Sequence, residues 1–226
     1  MLVSILVLEN TSSIRLLYRH FISKVTEKSL NAFYYACSYA KVDYSGFMCA
    51  TARMALKIIP KNISYHPVFL CIDDTMVPKT GTKFENVSRL YDHAEHNGPF
   101  YLNGHCFVSL MVCVPVWKNK KISYLPIPPG YKMWDKTKSK ILLAAEMVRH
   151  VMPELSGQKN VILMFDSWYA KKALICVADE FSNLDIICAA RVDSVIYDIA
   201  PKRTGKAGRP RKHGERLSAK KELQII

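Results

Sequence analysis

Two short apolar runs, each ending in a carboxylate, constrain the fold of this chain more than any other feature. The first is Phe-Leu-Cys-Ile-Asp-Asp-Thr at residues 69–75, and the second is Val-Ile-Leu-Met-Phe-Asp-Ser at residues 161–167. Runs this hydrophobic, bounded by polar residues, predict strands that are buried on both faces of a sheet. Their terminal aspartates, Asp74 and Asp166, are therefore expected to meet at one sheet edge. Two carboxylates held together repel each other, which favours a divalent cation of the Mg²⁺ or Mn²⁺ kind between them.

The charge of the chain points to a polyanionic partner. The 226 residues, enough for one main domain with a smaller appendage, include 32 Lys or Arg against 19 Asp or Glu, a formal net charge of +13. Nine Lys or Arg and one Glu fall within residues 202–221. Charge alone does not distinguish DNA, RNA and an anionic membrane, but a basic chain built around a metal site favours nucleic acid.

Cysteine usage and hydropathy exclude two classes of protein. Seven cysteines are scattered without any Cys-x-x-Cys pair, which argues against a disulfide framework and against a structural zinc site. A reducing cytosol is the predicted compartment. The apolar residues 1–8 are too few to span a bilayer, so no membrane partner is expected.

The first 62 residues are predicted to form a small helical region. Residues 13–60 carry apolar residues at helical spacing, and a helix over Ser45–Ile58 is expected to end before Pro60. This region is interpreted either as a separate packing layer or as a small DNA-contacting unit.

Residues 63–201 are predicted to form an α/β core around a mixed sheet. Between the two acidic strands, the pattern indicates a hairpin with a basic turn, ended by the prolines of residues 126–130, and then an amphipathic helix. A helix and a last strand follow the second acidic strand. The predicted ranges are 105–117 and 122–127 for the hairpin strands, 136–152 and 169–181 for the helices, and 185–190 for the last strand.

Basic side chains suited to contacting DNA phosphates fall in two segments. One is the long polar connection over residues 77–103, and the other is the Gly-, Pro- and Arg-rich segment from residue 202 to the end. Gly-Arg-Pro-Arg-Lys at 208–212 is similar to a minor-groove-binding hook, although a solvated tail is the competing interpretation. The candidate DNA-binding residues are Lys79, Lys83, Arg89, Arg209, Arg211 and Lys212.

Taken in order, these motifs resemble the DDE transposases of bacterial insertion sequences. The resemblance is carried by Ile-Asp-Asp-Thr at 72–75, the hairpin, Phe-Asp-Ser-Trp-Tyr at 165–169 and Gly-Arg-Pro-Arg-Lys-His-Gly-Glu at 208–215, and it covers roughly residues 13–217. It is strongest to the branch whose third acid lies in a Tyr-x-x-Arg-x-x-x-Glu-x-x-x-x-x-x-Lys helix. It implies an RNase-H-like core, a mixed sheet flanked by helices, and cut-and-paste DNA strand transfer.

The resemblance also implies roles for individual residues. Asp74, directly before the threonine, matches the first catalytic acid, and Asp166 matches the second. In such proteins these carboxylates hold two Mg²⁺ (or Mn²⁺) ions, one activating water or a 3′-hydroxyl and one stabilising the leaving oxygen. The implied partner is double-stranded DNA at transposon ends, held by a homodimer in the nucleoid of the bacterial cytoplasm.

The chain departs from the pattern at the third acid. No Tyr-x-x-Arg-x-x-x-Glu stretch occurs in it, so we interpret it as a C-terminally truncated transposase in which residues 202–226 begin an insertion or tail. Two alternatives stay open. One is a catalytically inactive DNA-binding remnant, and the other is an RNase-H-like nuclease or resolvase that completes its site with Glu146 or Asp193.

Each of the two assigned aspartates has an alternative interpretation. Asp73 competes with Asp74, because a strand that is apolar on both faces does not reveal by alternation which of the two aspartates faces the site. Asp166 also suits an N-cap for the following helix, a role that Ser167 is expected to take instead.

Overall fold

The computed structural model describes residues 13–81, 83–91, 101–191, 194–202 and 211–217. The chain divides into two compact units, Met1–Tyr44 and Ser45–Ile226. The domain boundaries predicted from the sequence, after residues 62 and 201, remain a prediction. Two of the predicted functional residues, Asp193 and Arg209, lie outside the described residues.

The first unit is helical over its described part. Helix α1 (Ile14–Leu17) begins at Ser13, whose Oγ accepts a hydrogen bond from the backbone N–H of Leu16 at 3.2 Å, and it continues through a π-helical turn (Tyr18–Ile22) into α2 (Ser23–Val25). Helix α3 covers Leu30–Tyr39. Across the described residues of both units, no helix is long and apolar enough to cross a membrane.

The second unit begins with helix α4 (Tyr44–Lys57) and a 3₁₀ turn (Lys61–Ile63), close to the predicted helix over Ser45–Ile58. A mixed sheet follows, in which β1 pairs antiparallel with β3 and parallel with β5, β5 pairs parallel with β6, and β3 pairs antiparallel with β2 and β4. The predicted α/β fold, a mixed sheet flanked by helices, is confirmed. The strands are β1 (Val68–Pro78), β2 (Ser88–Tyr91), β3 (Tyr101–Lys118), β4 (Lys121–Met133), β5 (Val161–Phe165) and β6 (Leu184–Cys188).

The two faces of the sheet are buried unequally. On one face, alternate side chains of the central strands are fully buried in a core shared with α4 and with helix α5 (Lys140–Val151). On the other face, Met164 is 37% and Ile187 is 56% exposed. The expectation that both faces are buried is therefore wrong for the described part of the chain, because the described helices α4 and α5 cover only one face. The largest core side chains on strands are Leu70, Leu110, Leu163, Val68, Val108 and Val112.

The hairpin prediction is confirmed at its turn and wrong at its end. Asn119 and Lys120, in the predicted basic turn, both have positive φ angles, which suits a tight hairpin. The prolines of residues 126–130 do not end the second strand, since β4 continues to Met133. Among the described strands β4 pairs only with β3, and an edge strand tolerates prolines because its outer N–H groups need no partner.

Both predicted helices of the core are shorter than the apolar spacing indicated. Helix α5 begins at Lys140 instead of 136, where the Ser139 Oγ accepts a hydrogen bond from the N–H of Leu142 at 3.2 Å. The range predicted as 169–181 contains only α6 (Lys172–Ile175) and a 3₁₀ turn (Ala178–Glu180). A separate two-residue pairing joins β7 (Ile196–Tyr197) to β8 (Arg216–Leu217).

Gly104 provides a test of the sheet register. It lies in β3 opposite Pro78 of β1 and Ser88 of β2, and an added Cβ would stand 2.4 Å from the carbonyl oxygen of Val77. Because that oxygen belongs to the backbone, Gly104→Ala is expected to lower the free energy of unfolding by about 1–3 kcal/mol in urea denaturation. The matched control is Gly157→Ala, where a Cβ meets nothing within 4 Å. Equal urea denaturation midpoints for the two variants would contradict this sheet register.

Candidate active site

Asp74 lies in β1, two residues after the last one that pairs with β5, and accepts hydrogen bonds from three side chains. Its Oδ2 accepts from the ammonium of Lys140 at 2.7 Å and from the Cys106 thiol at 3.3 Å. Its Oδ1 accepts from the Tyr169 hydroxyl at 3.3 Å. The side chains of Asp74 and Lys140 are each 18% exposed. Asp74 is therefore a partly buried carboxylate with a cation already in contact.

Asp166 follows β5 directly and holds the turn after it. Its Oδ1 accepts from the backbone N–H groups of Trp168 at 3.1 Å and Tyr169 at 3.2 Å. The expectation that Ser167 would take this capping role is wrong, because the carboxylate of Asp166 reaches both N–H groups itself. Tyr169 thus contacts both acids, Asp166 through its backbone and Asp74 through its hydroxyl.

The two neutral donors to Asp74, the Tyr169 hydroxyl and the Cys106 thiol, stay protonated at neutral pH. Burial, reinforced by the charge of Asp74, raises the pKa of Tyr169 well above its usual value, and the ring is 1% exposed. Burial likewise raises the pKa of Cys106 to about 11. Both groups therefore remain hydrogen-bond donors to Asp74 throughout the physiological range.

Lys140 is held by aromatic rings as well as by Asp74. Its ammonium lies 4.5 Å from the ring centroid of Trp168 and 5.6 Å from that of Trp134. Contacts of this kind between a cation and an aromatic face are attractive. Sequence reasoning missed Lys140, because its position at the start of α5 gives no sign of a tertiary contact with β1.

Asp73 lines a groove together with Asp166. The groove has a volume of about 550 Å³ and lies between the middle of β1 and the carboxyl ends of β5 and β6. Asp73 alternates with Asp74 along the strand, and its Oδ1 accepts from the backbone N–H of Asp74 at 2.8 Å. The structure therefore places Asp73 in one groove with Asp166, whereas Asp74 and Asp166 contact opposite ends of Tyr169. The groove is lined by Cys71, Ile72, Asp73, Met164, Phe165, Asp166, Ile187, Cys188 and Ala189.

One cysteine in the groove has a perturbed pKa. A hydrogen bond from the Cys113 thiol lowers the pKa of Cys71 to about 7. Cys71 is half-buried and two residues before Asp73. The two thiols form a hydrogen-bonded pair beside the groove that contains Asp73 and Asp166.

Glu146 is bound by two lysines on the exposed side of α5. Its carboxylate accepts from Lys132 at 3.2 Å and makes a shorter contact with Lys138. The hydrogen bond from Lys138, the largest cause, and that from Lys132 lower the pKa of Glu146. Both carboxylate oxygens thus have ammonium partners, and Glu146 does not line the groove of Asp73 and Asp166.

These ion pairs predict a pH-dependent contribution to stability. Because the folded state lowers the pKa of Glu146, its stabilisation is present above the unfolded pKa and is lost as the pH falls through the folded pKa. At pH 7 we expect Glu146→Gln to cost about 0.5 kcal/mol, a value limited by solvent screening, and less at pH 3. Urea denaturation at both pH values measures this. Glu85→Gln, an exposed position between β1 and β2, serves as the charge-matched control. A cost for Glu146→Gln that does not change with pH would contradict the assignment.

The candidate DNA-binding residues within the described ranges are mostly exposed. Lys83, Arg89, Arg211 and Lys212 are exposed and Lys79 is half-buried. The guanidinium of Arg89 lies 4.4 Å from the ring centroid of Tyr101. These positions leave the charged groups of the four exposed side chains accessible to a polyanion.

The donor chemistry of the site fits a hard divalent cation, with few ligands. Asp73, Asp74 and Asp166 offer carboxylate oxygens, the donors that Mg²⁺ and Mn²⁺ prefer. Among the described residues, no group of three or more His, Cys, Asp or Glu side chains is arranged to hold a metal ion. The site thus has the ligand type but not a complete ligand set.

Comparison with known families decides where the chain belongs. The DDE superfamily endonuclease family matches residues 29–225, most of the chain. The chain belongs to this family. No protein of curated function matches it.

Solved structures also match this DDE chain, at low identity. The Drosophila P element transposase strand transfer complex matches at 14% identity and a TM-score of 0.35, over 95% of this chain and 45% of that one. The Mos1 transposase paired-end complex with left transposon end matches at 11% identity and a TM-score of 0.28, over 84% and 57% of the respective chains. The chain spans about half the length of these transposase chains.

Proposed function

We propose that this chain carries the core of an insertion-sequence transposase that cleaves and transfers DNA strands with a divalent metal. The observation that carries the proposal is the link between Asp74 and Asp166 through Tyr169, in a member of the DDE superfamily endonuclease family. The two acids match the first two catalytic positions of the resembled family.

The residues around the site have distinct parts in the proposed reaction. Asp74 and Asp166 would hold the Mg²⁺ (or Mn²⁺), which when bound activates water or a 3′-hydroxyl and stabilises the leaving oxygen. Tyr169 donates its backbone N–H to Asp166 and its hydroxyl to Asp74, so it is assigned a positioning role for both carboxylates. Asp73 remains the alternative first acid, because it lines the groove beside Asp166.

The substrate is proposed to be double-stranded DNA at transposon ends. The net charge of +13 supports a polyanionic partner. The backbone contacts are assigned to Lys79, Lys83, Arg89, Arg211 and Lys212, with Arg209 outside the described residues. We further propose that the protein acts as a homodimer in the bacterial nucleoid. Its proposed domains are an N-terminal helical region over 1–62, a core over 63–201 and a basic tail over 202–226.

A second candidate function is a DNA-binding remnant without cleavage activity. The described residues supply no third carboxylate to the pair Asp74 and Asp166 besides Asp73. Both carboxylate oxygens of Glu146 bind ammonium groups, whereas Lys140 occupies only Oδ2 of Asp74. This argues against a nuclease or resolvase that uses Glu146 as the missing ligand. Asp193, the other acid considered for that role, lies outside the described residues.

Nicking of supercoiled DNA in Mg²⁺ and in Mn²⁺ tests the proposal. The wild-type chain is compared with the double variant Asp74→Ala, Asp166→Ala and with Glu146→Gln. Cleavage that is lost in the double variant and kept in Glu146→Gln supports the proposed site. DNA binding without cleavage in any sample supports the remnant, and equal cleavage by the double variant overturns the assignment of both aspartates.

A further inference from the structure

We infer that Lys140 is an internal counter-ion that competes with the divalent cation for Asp74. Its ammonium contacts the Oδ2 of Asp74 at 2.7 Å, where a metal bound by that oxygen would also have to lie. This inference rests on the proposed function, since it takes Asp74 as a metal ligand. It adds a residue that sets the metal affinity of the site.

The contact is built by several elements of the fold. Lys140 begins α5, Asp74 lies in β1 just beyond its pairing with β5, and both side chains are only 18% exposed. The rings of Trp168 and Trp134 provide further attraction at 4.5 and 5.6 Å. The ion pair with Asp74 and the two aromatic rings together hold the ammonium at one carboxylate oxygen. A lysine on an exposed surface lacks such constraints.

Two cations do not share one carboxylate oxygen at this distance without strong repulsion. Binding of a divalent ion to Oδ2 therefore requires Lys140 to move away from Asp74. The free energy needed to break the ion pair between Lys140 and Asp74 makes metal binding weaker by the same amount. Lys140 compensates the charge of Asp74 before metal binds, so the partly buried carboxylate is never left unpaired. The lysine stabilises the metal-free fold and weakens the first metal-binding step.

The two neighbouring lysines of the same segment provide matched variants. Lys138 contacts Glu146, whereas Lys140 contacts Asp74. Lys140→Met and Lys138→Met remove the same charge from positions two residues apart. Only the first removes the competitor of the metal, so a difference between them separates direct competition from a general change in electrostatic potential.

Mn²⁺ binding to the full chain, followed by the electron paramagnetic resonance signal of free Mn²⁺, measures the competition without requiring activity. We expect Lys140→Met to bind Mn²⁺ about fivefold more tightly than the wild type, the effect of removing a competing ion pair of ordinary strength. Lys138→Met and Lys140→Arg, which keeps the charge beside Asp74, are expected to stay within about twofold of the wild type. Circular dichroism establishes that each variant is folded.

A second readout needs no variant of Lys140. Displacement of the ammonium from the face of Trp168 is expected to change tryptophan fluorescence on Mg²⁺ titration, and Trp168→Phe is expected to remove most of that change. This readout keeps the inference testable if Lys140→Met does not fold.

The possible outcomes separate this inference from the proposed function. Tighter Mn²⁺ binding by Lys140→Met alone, with the Trp168 signal, supports the competition. Equal affinity in the wild type, Lys140→Met and Lys138→Met overturns the inference and leaves a metal-dependent function standing. Mn²⁺ binding by neither the wild type nor Lys140→Met overturns both.

Discussion

Asp74→Asn is expected to reduce metal-dependent nicking by on the order of 100-fold or more, whereas Asp73→Asn is expected to keep most of it. Asp74 is joined to Asp166 through Tyr169 and already has a cation on its Oδ2. The substitution removes the charge that a divalent ion needs while keeping the size and an acceptor oxygen. Asp73 shares the groove with Asp166, but its Oδ1 accepts from a backbone N–H.

The pair of single variants decides between the two aspartates. Initial nicking rates in Mg²⁺ and Mn²⁺ are compared with DNA affinity measured at the same ionic strength, since a lost rate with unchanged affinity locates the effect in the metal site. Circular dichroism accounts for any unfolding caused by leaving Lys140 without its partner in Asp74→Asn. A larger loss in Asp73→Asn than in Asp74→Asn would move the metal site to the groove side of β1.

The positions of the two acidic strands were predictable because their apolar runs are continuous. The predicted end of the first strand at Asp74 is wrong, since pairing with β3 carries β1 on to Pro78. The turn at residues 118–121 was also predictable, since basic and polar residues interrupt two β-rich runs there. Periodicity does not report pairing partners, so it could not show that β4 is an edge strand among those described, where prolines are tolerated.

The details of the site depended on tertiary contacts that leave no local signal. The helix predicted from residue 169 is mostly absent, because Asp166 holds a turn at Trp168 and Tyr169 before α6 begins at Lys172. The ion pair of Lys140 with Asp74 joins residues 66 positions apart. Which face of β1 is buried follows from the packing of α4 and α5, so alternation alone left Asp73 and Asp74 unresolved.

The largest effect on stability is expected from Leu163→Ala in β5. Leu163 is fully buried and lies between Leu70 of β1 and Ile186 of β6. Removing three buried carbons and leaving a cavity in the central strand is expected to lower the free energy of unfolding by about 3 kcal/mol, measured by urea denaturation. Asp166 lies three residues further along the chain, so the variant is also expected to weaken metal binding.

Met164→Ala is the matched control, because it removes a side chain of similar size from the adjacent position on the other face. Met164 is 37% exposed, so its truncation is expected to cost less than about 1 kcal/mol. A ratio near three between the two losses would show that the core lies on the side of α4 and α5. Equal losses would show that the face with Met164 and Ile187 is also covered in solution, which would close the groove at Asp73 and leave Asp74 as the acid open to a metal.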